Sequence, residues 1–168
     1  MRPRPVAIAL LVVLLAVLVQ TSALMRVRPF LVAPDLVLLA VLATIRHLAP
    51  EPAVLTGFSG GLVADLLGAT PLGLRALVLT VVAFLAVRLR DRLEGSILAT
   101  AGGVLLLTFV GETLFAVIGT LFGRALLSDA LIMRKLLLVP VFNLVLAAAV
   151  LPAVSLLMES RRGRRWVS

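Results

Sequence analysis

Residues 53–75 read AVLTGFSGGLVADLLGATPLGLR, and this stretch decides the architecture. Gly57, Gly61, Ala64 and Gly68 follow one another at spacings of four, three and four, which places them along one stripe of a helix with Gly60 beside it. Small residues on a stripe let a second backbone approach closely, and that is how helices associate where lipid removes the hydrophobic drive between them. Asp65 lies four residues after Gly61 and borders the stripe. An ionisable group at membrane depth costs roughly 2.5–3.5 kcal/mol, so its carboxylate is expected to face protein. Pro71 and Gly73 then interrupt the helix, and Arg75 opens the next one close enough in sequence to fold back toward Asp65. The expectation is a close helix pair, or a re-entrant hairpin about Pro71. Asp65 and Arg75 either pair near its outer end or reach the interface separately.

Outward from this stretch the whole chain reads as membrane protein. Of its 168 residues 62% are hydrophobic and only 14% charged, with a mean hydropathy of +1.20. Soluble domains carry roughly 45–50% apolar and about 25% charged residues. At about 20 residues per span, six spans use about 120 residues and leave too few for a soluble domain. The apolar runs lie at about 6–25, 31–48, 53–69, 72–88, 97–122 and 136–158, and a basic tail covers 159–168. Arg26, Arg28 and Pro29 close the first run, Pro50-Glu51-Pro52 makes a turn, and Arg88 to Arg92 close the fourth. The first run follows Arg2 and Arg4 as in a signal peptide, but it is long and lacks a clear cleavage site, so it is read as a retained span. In the linker, Leu126, Leu127, Leu131 and Ile132 recur near helical spacing and suggest a short interfacial helix over 124–133. The fold class is therefore an all-α integral membrane protein with six transmembrane helices and short loops, in one polytopic domain. With the N-terminus inside, the inner segments carry ten of the 16 Lys and Arg residues and the outer segments six. That excess places both termini in the cytoplasm.

The charge balance of +8 does not indicate nucleic acid, because the basic residues punctuate apolar runs and form no face of a polar domain. Zero cysteines remove disulfides and thiolate chemistry. His47 is the one histidine, so no metal site is expected. Ser59, Ser96, Ser128 and Ser155 have no histidine near them in sequence, which leaves a serine triad unsupported. Gly102-Gly103 lacks phosphate-loop context. Neither an enzyme nor a cofactor is expected. The polar residues within apolar runs are Asp35, Asp65, Arg75, Glu112 and Asn143. Glu112 either carries a proton or ion or, more plainly, locks helices together, with Asn143 a plausible partner.

Pro34-Asp35-Leu36, the series from Gly57 to Gly68, and Pro71-Leu72-Gly73 together resemble the bacterial rod shape-determining protein MreD family. Length, six spans and a basic tail agree with that family along the whole chain. The resemblance implies a non-enzymatic inner-membrane subunit of the cell-elongation machinery, partnering MreC and, through it, MreB, RodA and a penicillin-binding transpeptidase. It also implies a six-helix fold similar to the substrate-binding subunits of energy-coupling-factor transporters. The matching positions are Asp35, Gly57, Gly61, Asp65, Pro71 and Gly73, as packing and capping residues. The alternative is a substrate-binding subunit of a small-molecule transporter. Aromatic residues make up 5% of the chain, with no tyrosine and one tryptophan, Trp166, which disfavours a ligand pocket.

Overall fold

The structure is a computed structural model that describes residues 3–22, 32–68, 70–93, 95–124, 126–127 and 130–159. Arg2, the charges at Arg26 and Arg28, Pro29, Asp129 and the basic tail from residue 160 onward lie outside the described residues. Among the described residues there are six helices and no strands: α1 (Pro3–Ser22), α2 (Leu36–Ile45), α3 (Pro50–Leu67), α4 (Leu74–Leu93), α5 (Ile97–Leu121) and α6 (Ile132–Glu159). Three segments, Arg4–Ser22, Ile97–Leu121 and Ile132–Glu159, are long and apolar enough to cross a membrane. Their outer faces are lined with exposed large apolar side chains such as Leu11, Leu15, Leu106, Phe109, Val145 and Leu156. A surface of this kind suits a lipid solvent.

α2 is the axis of the bundle. The expected run of 31–48 contracts to Leu36–Ile45, because Asp35 caps the helix and Pro34 precedes it. Every residue from Val37 to Ile45 is buried. Ten residues rise only about 15 Å, half a bilayer core. Such a helix is stable because α1, α3, α4, α5 and α6 all pack against it.

α3 and α4 form the closest pair, with the glycine stripe at the contact. A Cβ on Gly57 would stand 2.7 Å from the Leu79 carbonyl oxygen, and one on Gly61 would stand 2.5 Å from the Ala76 Cα. Gly60 faces Val13 of α1 instead. Gly111 of α5 packs against the Leu38 side chain of α2. Gly57, Gly61 and Ala64 are thus buried inside the chain, and Gly57 and Gly61 are out of reach of another protein's helix, whereas Gly68, which ends α3, is exposed and lies against only its own helix and Thr70.

Several boundaries differ from the sequence reading. α3 begins at Pro50, so Pro50 and Pro52 occupy its first turn and do not form a separate turn; the first turn tolerates proline because its N–H groups have no partner within the helix. α4 continues through Arg88, Arg90 and Arg92 to Leu93. A charged run does not end a helix, because long side chains can carry their charge away from the apolar surface while the backbone stays helical. α6 starts at Ile132, four residues before the expected point, and the described residues of the 124–133 linker form turns leading into it, with no helix of their own.

Candidate functional site

The C-terminal halves of α1, α3 and α5 and the N-terminal ends of α2, α4 and α6 meet at one end of the bundle. They enclose a cavity of about 620 Å³. Four ionisable side chains line it: Asp35, Arg75, Glu112 and Lys135. Gln20, Thr21 and Thr70 add hydrogen-bonding groups, and Phe115, Val78 and Val139 are among its apolar walls.

Asp65 stands behind the wall and builds it. Its carboxylate, 2% exposed, accepts hydrogen bonds from the Thr70 hydroxyl at 2.7 Å and from the backbone N–H groups of Gly73 at 3.0 Å, Arg75 at 3.0 Å and Ala76 at 3.2 Å. These are the donors that the first turn of a helix leaves without partners. Asp65 therefore caps α4 from across the loop, with its charge at the favourable end of the α4 dipole. Gly73 makes the fold-back possible with φ +92, a conformation that side chains disfavour.

Of the two alternatives for Asp65 and Arg75, the ion pair does not form; the two meet through the Arg75 backbone. With Asp65 occupied by main-chain donors, the Arg75 side chain crosses to α2, where Nη1 lies 3.6 Å from Asp35 Oδ2. Its guanidinium also sits 5.3 Å from the centre of the Phe115 ring, within cation–π range.

Asp35 is the most connected residue of the cavity wall. Its Oδ1 accepts from the Leu38 N–H at 3.0 Å and caps α2. Its backbone N–H donates to Asn143 Oδ1 and its carbonyl accepts from Asn143 Nδ2, both at 3.1 Å. Asn143, fully buried, also reaches Thr108 Oγ1 at 3.4 Å. Gln20 on α1 completes the cap by accepting from the Val37 N–H at 3.0 Å. Asn143 is thus the partner of Asp35, and the expected Glu112–Asn143 contact is replaced. Glu112 faces the cavity, and among the described residues none donates a hydrogen bond to its carboxylate.

The opposite end is tied by Arg90, which the sequence reading placed only in a charged run, and by Ser155 and His47, which it considered separately. Arg90 Nη2 donates to the carbonyls of Ile45 at 2.5 Å and Leu48 at 2.8 Å, closing the C-terminal end of α2. Ser155 Oγ lies 3.4 Å from His47 Nε2, joining α6 to the turn after α2. Gln20 could have been found as the first polar residue inside the first apolar run. Arg90 could not, since nothing distinguishes it from Arg88 and Arg92 in sequence. The charged cavity was disfavoured on aromatic content, yet its polar groups come one or two at a time from α1, the start of α2, the α3–α4 loop, α4, α5 and α6, a convergence that composition does not register.

A small chain whose described elements are all helical, with three helices long and apolar enough to cross a membrane and large apolar side chains exposed along them, is a membrane protein. Residues 3–161 match the family described as rod shape-determining protein MreD, and the chain belongs to that family. No curated protein and no solved structure matches it.

Proposed function

We propose that this chain is a non-enzymatic inner-membrane scaffold of the bacterial elongation complex, controlling rod shape and lateral peptidoglycan synthesis by binding MreC. Through MreC it connects to MreB, RodA and a penicillin-binding transpeptidase. The observation that carries the reading is the family match over residues 3–161, nearly the full chain. The use made of the buried polar groups supports it: Asp65, Asn143, Gln20 and Arg90 are all committed to helix ends. In this reading the chain crosses the cytoplasmic membrane six times, with a topology like that of energy-coupling-factor substrate-binding subunits. Arg46, Arg88, Arg90 and Arg92 mark the cytoplasmic end by the positive-inside rule, with both termini on that side. The cavity then faces outward.

Depletion in the native rod-shaped host, with imaging of cell width and labelled nascent peptidoglycan, tests this. Cells are expected to round and to disperse lateral wall synthesis, with rescue by the wild-type chain and not by Asp65→Leu. Co-purification is expected to bring down a single-span partner. Unchanged shape, with growth lost only when a nutrient is scarce, would overturn the proposal.

A further inference from the structure

We propose that the cavity between the ends of α1 to α6 is a binding site for a primary ammonium or guanidinium group carried on an apolar stem, and that Glu112 is the residue that recognises it. The four ionisable side chains of the cavity are unequally committed. Asp35 caps α2 through Oδ1 and holds Arg75 through Oδ2. Arg75 is further occupied by the face of Phe115. Lys135 has an interaction of its own. Glu112 lines the cavity with no hydrogen-bond donor to its carboxylate among the described residues, and it meets Arg75 and Lys135 only through their charge across the cavity.

A carboxyl group placed inside an apolar bundle without donors is costly, and the cost falls when a cation enters and hydrogen-bonds to it. The surroundings define the rest of the occupant. Val78, Leu79 and Val139 give the cavity apolar walls suited to a hydrocarbon stem. Its volume of about 620 Å³ lies within the range of small-ligand sites. Gly111, immediately before Glu112, packs against the Leu38 side chain and keeps this part of α5 close to α2. Two sources offer this chemistry: the basic side chain of a protein segment entering the cavity, or a small amphiphilic amine. This inference does not depend on the scaffold reading, and its test needs no elongation partner.

The full chain in lipid nanodiscs is titrated with n-pentylamine, with n-pentanol as the uncharged probe of the same stem, and binding is read by saturation-transfer NMR against empty nanodiscs. Pentylamine is expected to bind saturably and to weaken at least about tenfold on Glu112→Gln, because a hydrogen bond to a charged group is lost. Glu112→Asp is expected to retain binding, and pentanol to show no difference between wild type and Glu112→Gln. The peptide acetyl-Leu-Lys-Leu-amide distinguishes the sources. Tighter binding by the peptide assigns the site to a protein side chain, and tighter binding by the free amine assigns it to a small molecule. Equal affinity of pentylamine for wild type and Glu112→Gln, or no saturable binding to wild type, overturns the proposal. If Glu112→Gln does not accumulate, competition on the wild type decides: displacement of pentylamine by pentanol at equal potency overturns it as well.

Discussion

Asp65 accepts from one hydroxyl and three backbone N–H groups, so its replacement removes several bonds at once. Asp65→Leu leaves buried α4 donors unpaired and is expected to destabilise the protein by roughly 3 kcal/mol, given the cost of orphaned groups that had a charged partner. Asp65→Asn keeps one accepting oxygen but turns an NH₂ toward other donors, and a loss of roughly 1–2 kcal/mol is expected. Unfolding midpoints in detergent micelles give both values, and equal midpoints for wild type and Asp65→Leu would contradict the capping role. That Asp65 faces protein was legible from its place beside the glycine stripe. Its partner was not, because sequence proximity brings both the backbone and the side chain of Arg75 within reach. Only the positive φ of Gly73, which aims the N–H groups at the carboxylate, selects the backbone.

At the level of elements, two glycines on different faces test the packing. Gly61→Ala sets a Cβ 2.5 Å from the Ala76 Cα, which forces α3 and α4 apart at an expected cost of about 1–3 kcal/mol. Gly102→Ala meets nothing within 4 Å and is expected to be neutral or to stabilise α5 by up to about 1 kcal/mol. Thermal melts of the two detergent-solubilised variants should move in different directions or by clearly different amounts. The existence of all six helices could be read from apolar runs broken by charge and proline, and the glycine face of α3 from its spacing. The ends could not be read as well. α2 stops short because Asp35 begins it and Arg90 closes it, and the second of these interactions links positions 45 residues apart in the chain. α4 runs on through its arginines because helix geometry tolerates charge at a surface, so a charged run marks the edge of the apolar layer and not the end of the helix.

For the whole molecule the proposed topology makes a clean prediction, since the chain has no cysteine. A single thiol at Leu72→Cys, in the exposed α3–α4 turn, is expected to react with a membrane-impermeant maleimide in spheroplasts. One at Ser96→Cys, at the start of α5, is expected to react only after permeabilisation. The reverse pattern would invert the molecule and turn the cavity toward the cytoplasm. The membrane class was legible from composition, whereas the cavity depended on separate helices and a loop delivering one or two polar groups each to the same end.

The Asp65 cap also bears on biogenesis. When the ribosome has delivered α3 to the insertion channel, the Asp65 carboxylate has none of its donors, because all of them lie between Thr70 and Ala76. In the proposed topology, release of α3 alone into lipid would strand that group, at a cost that the arrival of the next few residues removes. α3 and α4 are therefore expected to leave the translocon together as a preassembled hairpin, so that the carboxylate that stabilises the finished bundle would also set the order of its assembly.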